Sequence, residues 1–226
     1  MWKKYFVLVS LIIVTAAMSG LGDSGNSTRV VDANEYARSI GGRYPYRQKS
    51  EYILGELDLK PGDVVVDIGA GDGWWAGQMA DKVGPEGSVH AGEVEREKVE
   101  TMRKRLEDVP QVKPYLCPLD GTGLAENTCD LAFLSKTYHH LSEHVEYLRH
   151  LREVVRPDGR LCVIEAYPRL ADGRGRRHAW CPGLLTQQAA EAGWVLVRCE
   201  MIAGTGHYIA LFVPRDLFRD ATRGED

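Results

Sequence analysis

Val64-Val65-Val66-Asp67-Ile68-Gly69-Ala70-Gly71-Asp72-Gly73 decides the fold of this chain. Residues 64–68 form a continuous apolar run that carries an acid near its end. A strand with one wet face alternates apolar and polar residues, so this run predicts a central strand covered on both faces. Three glycines follow at alternate positions. Glycine lets a backbone turn tightly and lets a ligand approach without meeting a Cβ. Residues 74–83 then fit a helix. A buried strand, a glycine loop and a helix form a corner whose ligand lies beyond the carboxyl end of the strand.

The alternation continues on both sides of this corner. Residues 48–57 look helical, with Ile53, Leu54 and Leu57 on one face, and residues 58–63 form a turn. Downstream, strands are predicted over 87–93, 112–117, 129–135 and 160–166, with a charged amphipathic helix over 95–106. Val145, Leu148, Leu151 and Val155 recur at helical spacing, predicting a helix over 143–155 with Ser142 as its N-cap. Arg156-Pro157-Asp158-Gly159 should stop that helix. A Gly- and Arg-rich loop spans 167–177, a short helix 186–192 ends at Gly193, and strands over 194–201 and 207–213 close the chain. Repeated βα units imply a mostly parallel sheet, and the closing strand pair allows an antiparallel edge.

Composition narrows the class. With 226 residues, 44% hydrophobic and 27% charged, the chain suits one full-sized domain with a substantial core. It is neither collagen-like, disordered, nor a small disulfide-stapled fold. Lys and Arg number 28 against 32 Asp and Glu, a formal charge of −4, which lacks the basic footprint of a nucleic-acid binder. The five cysteines include no CxxC pair. Cys162 and Cys199 fall in predicted strands and Cys117 at a strand end, so mainly buried thiols are expected.

The first residues read differently from the rest. Lys3 and Lys4 precede a charge-free apolar stretch over 5–18, and Ala17 and Ser19 are small residues two apart. Residues 1–19 therefore read as a signal peptide or an N-terminal membrane anchor. Residues 20–29 form a Gly/Ser/Asn/Asp-rich linker containing the sequon Asn26-Ser27-Thr28, and the domain occupies 30–226. The expected location is exported, periplasmic or membrane-anchored, with membrane association through residues 1–19.

Glu93 ends the second predicted strand, 26 positions past Asp67, where an acid can accept hydrogen bonds from both hydroxyls of a ribose. From here the sequence resembles the class I S-adenosylmethionine-dependent methyltransferases. Asp67 to Gly73 is similar to their acid-x-Gly-x-Gly-x-Gly motif, and Glu93 stands in the ribose position. Cys117-Pro118-Leu119-Asp120-Gly121, Leu124 and Cys129-Asp130-Leu131-Ala132-Phe133 resemble a further segment, placing Asp120 beside the adenine. Residues 151–161 resemble the turn before strand five, with Asp158 in place of the usual first glycine. Thr137-Tyr138-His139-His140-Leu141 and His178 through Trp194 resemble a small bacterial subgroup with an export-like leader; Lys136 stands where that subgroup commonly has an acid.

The resemblance implies a Rossmann-like α/β fold: a seven-stranded, mostly parallel sheet with helices on both faces and an antiparallel last strand. It implies S-adenosyl-L-methionine as cofactor, bound by Asp67, Gly69, Gly71, Gly73, Glu93 and Asp120. Transfer of an activated methyl is an in-line displacement, so the protein mainly aligns donor and acceptor and excludes water. Tyr138, His139 and His140 follow strand four and are the catalytic candidates, His140 first as base or substrate contact and His139 second. Their alternative role is capping or local hydrogen bonding. The expected partner is a small-molecule acceptor.

Two other readings compete. A dinucleotide-dependent dehydrogenase needs G-x-G-x-x-G, whereas this loop reads G-x-G-x-G and no tyrosine–lysine pair stands out. The other alternative is an exported protein with this fold that binds the cofactor or another small molecule without catalysis, since the cofactor is made in the cytosol. No metal is expected from His139, His140 and His144, whose spacing suits no single helical face. The arginines Arg169, Arg174, Arg176 and Arg177, with His178, form a basic loop that reads as a solvated face or a cover for an anionic substrate.

Overall fold

The computed structural model describes residues 45–168 and 178–217. The signal or anchor segment 1–19, the linker 20–29, the start of the domain and the four arginines of the basic loop lie outside the described residues. The strands are β1 (Val64–Ile68), β2 (Ser88–Glu93), β3 (Val112–Leu116), β4 (Cys129–Ser135), β5 (Val155–Ala166), β6 (Trp194–Ile202) and β7 (His207–Pro214). The helices are α1 (Ser50–Leu57), α2 (Trp74–Val83), α3 (Arg96–Arg105), α4 (His144–Val154) and α5 (Pro182–Glu191). Short 3₁₀ turns cover Pro45–Lys49 and Tyr138–His140.

All seven strands join one sheet in the order β3-β2-β1-β4-β5-β7-β6. Pairings from β3 through β5 are parallel, and β7 runs antiparallel to both β5 and β6. This is the Rossmann-like seven-stranded architecture expected. The strand order reverses between β1 and β4, so the carboxyl ends of β1, β2 and β4 open on one crevice.

The unbroken apolar run of β1 is explained by the two layers that cover it. Val65 packs with Ile53 and Leu57 of α1, Trp75 and Met79 of α2 and Met102 of α3. Val66 and Ile68 pack on the other face with Leu148 and Leu151 of α4 and Leu185 of α5. Trp194 anchors this second layer, fully buried, its Nε1–H donating to the Leu148 carbonyl at 2.9 Å.

Four local expectations change. Helix α4 starts at His144 with Glu143 at its N-cap and no side-chain cap, so Ser142 does not serve there. Helix α5 begins four residues earlier than helical spacing suggested, because Pro182 stands in its first turn, where a missing N–H does no harm. The 156–159 turn lies within β5: Val155 pairs with Cys129 and Arg160 with Leu131, so the turn bulges opposite Asp130. Asp130 accepts from Arg156 at 2.5 Å and from the Val64 N–H at 2.7 Å, fastening this bulge to β1. A Cβ on Gly159 would stand 2.5 Å from Val155, which is why the second glycine of this turn remains while the first is Asp158.

The fourth change concerns the thiols. Cys117, Cys129 and Cys162 are free and buried, whereas Cys199 is exposed because β6 is the sheet edge. Among the described residues, no helix is long and apolar enough to cross a membrane.

Candidate functional site

The glycine loop is pinned to the end of β2. The N–H groups of Gly69 and Ala70 both donate to the Gly92 carbonyl, at 2.9 and 3.0 Å. The Gly71 N–H donates to Glu93 Oε2 at 2.9 Å, and Oε1 accepts from the Val94 N–H at 2.8 Å. Glu93 is buried, yet a carboxylate has about four acceptor positions, so capacity remains for ligand hydroxyls.

The three glycines meet different demands. A Cβ on Gly69 would stand 2.5 Å from Thr137 Oγ1, and one on Gly73 would stand 2.7 Å from Met102. These two positions are small so that the end of β4 and helix α3 can close on the loop. A Cβ on Gly71, whose φ is +59°, would meet nothing within 4 Å. Gly71 faces open space, and there a ligand can reach the backbone.

Asp67 lies beneath this opening, 2% exposed, and its Oδ2 has no hydrogen-bond partner among the described residues. Burial, and next the Glu93 carboxylate, push its pKa from 3.8 up to about 7, against the opposing pull of Arg47. An orphaned, buried carboxylate beside an open cradle suits a ligand that brings positive charge. At the rim, Asp72 accepts from the Trp74 N–H at 3.2 Å and pairs with Arg47 and Arg105 at 3.1 and 2.9 Å.

Beyond β3, the chain returns to this corner. The Cys117 N–H donates to the Glu93 carbonyl at 3.0 Å. Tyr115 Oη donates to the Thr122 carbonyl at 2.8 Å, and the Thr122 N–H donates to His150 Nε2 at 2.9 Å. Asp120 sits exposed on the segment thus held. His150, from α4, is a support that local motif reading did not reveal.

The end of β4 builds the other wall. Lys136 adopts a left-handed φ of +60°, its N–H donating to the Ile164 carbonyl at 2.9 Å. Thr137 then packs on Gly69, and the 3₁₀ turn follows. Tyr138 turns inward: it is fully buried, and its hydroxyl donates to Gln188 Oε1 at 3.0 Å. Of the three catalytic candidates, Tyr138 is therefore committed to packing, while His140 is exposed and the His139 side chain is only 3% exposed.

A buried acid organises this turn. Glu165 of β5 is fully buried and accepts from His139 Nδ1 at 2.8 Å and from the His139 N–H at 3.2 Å. Lys136 Nζ reaches its other oxygen at 3.2 Å. Burial alone would raise the Glu165 carboxyl; the bonds from His139 and the charge of Lys136 outweigh it and hold the group below its usual range. Burial, then the His139 and His178 rings, lower the His140 pKa, keeping the ring neutral and able to accept a proton. His144 faces elsewhere, stacked on Trp180 at 4.2 Å, and the third ring at the turn is His178, 3.3 Å from His139. The one sequence signal for Glu165 is a charge ending the apolar run 161–164.

Residues 65–159 match the methyltransferase domain family. The matched segment contains Asp67, the glycine loop, Glu93, Asp120 and both histidines of the turn. An uncharacterised 37.1 kDa protein of transposon Tn4556 from Streptomyces fradiae is 29% identical over 149 residues, covering 66% of this chain and 43% of that protein. The ubiquinone/menaquinone biosynthesis C-methyltransferase UbiE of Cupriavidus pinatubonensis is 28% identical over 115 residues, or 50% of this chain and 47% of that protein. The matches thus span less than half the length of these curated relatives. A crystal structure of a SAM-dependent methyltransferase from Aquifex aeolicus has the same fold, with a TM-score of 0.68 at 24% identity, covering 80% of this chain and 97% of that one.

The residues of this corner fit the S-adenosylmethionine that the sequence resemblance implies. Its ammonium and sulfonium suit the orphaned Asp67 oxygen, its ribose hydroxyls suit Glu93, and Gly71 leaves room for its approach.

Proposed function

We propose that this chain transfers the methyl group of S-adenosylmethionine to a small-molecule acceptor by in-line displacement. The observation that carries the reading is the corner of Asp67, Gly71 and Glu93: a buried carboxyl with one unpartnered oxygen, an open backbone approach and a second buried carboxylate with acceptor capacity left. When bound, the cofactor supplies an activated methyl, whose bond to sulfur breaks, leaving the electron pair on sulfur, as the bond to the acceptor forms. Asp67 holds positive charge, Glu93 the ribose, and the Asp120 segment borders the adenine. Those groups account for the cofactor and leave the end of β4 for the acceptor. His140 takes the acceptor's proton there, with His139 beside it, their ring centroids 4.0 Å apart. Export or anchoring through residues 1–19 is part of the same proposal, read out by fractionation and N-terminal sequencing.

Calorimetry with S-adenosylhomocysteine tests the cofactor site. Glu93→Ala should weaken binding by about 1–3 kcal/mol, the range for lost bonds to a buried charged group. Gly71→Val should abolish binding, because the branched side chain fills the open approach and disfavours the positive φ. Unchanged affinity in both variants overturns the placement, and preference for NAD favours a dehydrogenase.

The acceptor side has a separate readout. With radiolabelled cofactor and small-molecule extracts, His140→Ala should lower methyl incorporation by roughly 10²–10⁴-fold while leaving S-adenosylhomocysteine affinity intact. Loss of cofactor affinity without a separate turnover defect moves His140 to the cofactor's surroundings.

A further inference from the structure

The geometry points to a divalent transition-metal site of the zinc class formed by His139, His140 and His178. One nitrogen from each ring lies within 4.8 Å of the others. His139 Nε2 and His178 Nδ1 are 3.3 Å apart. Two nitrogens each about 2.0–2.1 Å from a tetrahedrally bound zinc stand roughly 3.3–3.4 Å apart, so this pair already has the required spacing. His140 is exposed, and its ring already brings a nitrogen into this group as the third ligand.

Glu165 supplies the arrangement that metal-binding histidines usually have. It takes the Nδ1–H of His139, which leaves Nε2 with a lone pair directed toward His178. Because Glu165 is fully buried, and also bound to the His139 N–H and to Lys136, it fixes the ring's tautomer and direction. The charge of Lys136 is matched by the same carboxylate, which lessens its repulsion of a cation. Three imidazoles with a fourth position open are the form of a catalytic zinc site rather than a closed structural one. Local spacing did not disclose the group because His178 arrives from the far side of β5, 38 residues after His140.

The cation's binding stands apart from the proposed methyl transfer; its role rests on that reading. An acceptor oxygen, nitrogen or sulfur takes the open position and becomes a stronger acid on coordination. Its proton passes to water. The freed lone pair then forms the new bond to the methyl carbon as the carbon–sulfur bond breaks onto sulfur, and the metal is unchanged. In this loaded state His140 gives its lone pair to the metal, and coordination replaces the ring as the cause of proton loss.

Untagged full-length protein, stripped with chelator, should bind one equivalent of Zn²⁺ by calorimetry and give the visible bands of four-coordinate Co²⁺. His178→Ala, an exposed change, should weaken binding at least tenfold, and Glu165→Gln by about 10–100-fold. Both variants should retain S-adenosylhomocysteine affinity. Absence of stoichiometric binding overturns the site, as does binding that survives in both His178→Ala and His139→Ala. Zinc binding without S-adenosylhomocysteine binding sinks the methyltransferase reading and leaves the site standing. If both ligands bind, undiminished turnover of the stripped protein overturns the catalytic role.

Discussion

Asp67→Asn is expected to stabilise the ligand-free protein above pH 7 and to weaken cofactor binding by about 10–100-fold, the loss of a charge-assisted contact. The carboxyl of Asp67 is buried, and its pKa is raised from 3.8 to about 7. A raised folded pKa means that folding favours the protonated acid. Stability is therefore unaffected by this group below about pH 4, falls as pH climbs from there through 7, and stays low above it. A shift of this size corresponds to something on the order of 4 kcal/mol. Urea unfolding at several pH values should show that decline in the wild type and its absence in Asp67→Asn. Cofactor affinity should run the opposite way, rising with pH as Asp67 ionises, because a cationic ligand selects the carboxylate. Comparing the two proteins cancels the ligand's own titration. Parallel pH profiles in wild type and variant sink this account.

Glu165→Ala should be the most damaging change on the acceptor wall, lowering stability by about 3–5 kcal/mol, as when one member of a buried ion pair is removed. It leaves the charge of Lys136, only 17% exposed, with the His178 carbonyl but no counter-charge, and strands the backbone N–H and ring Nδ1 of His139. It also removes the contact that helps hold Lys136 in its left-handed conformation, which is unfavourable for a residue with a Cβ. Glu165→Gln keeps the shape and should lose less. A destabilisation by Glu165→Ala below about 1 kcal/mol, the range of exposed pairs, would show that the charges are solvated instead.

The candidate site divides according to how local its chemistry is. Asp67, the glycines and Glu93 are readable because each acts through its place at a strand end or in the loop directly after it. The pattern of residues 64–73 dictates strand, turn and helix, and the ligand side follows from strand direction. Tyr138 was equally visible as a motif residue, yet its ring is buried against α5. A 3₁₀ turn directs adjacent residues to different sides, and only the packing of α5 decides which side is core.

By itself, the sequence determined the alternation of strands and helices, the covered central strand and the glycine corner, because hydrophobic periodicity and glycine's missing Cβ act over a few residues. Only the tertiary structure decided that Gly69 and Gly73 are small for packing while Gly71 faces open space. It alone made β6 an edge strand and so exposed Cys199. It alone brought Glu165 and His178 to the turn at His139. These outcomes depend on which strands and loops become neighbours across the sheet. That choice is made by burial summed over both faces, and no short stretch of residues records it.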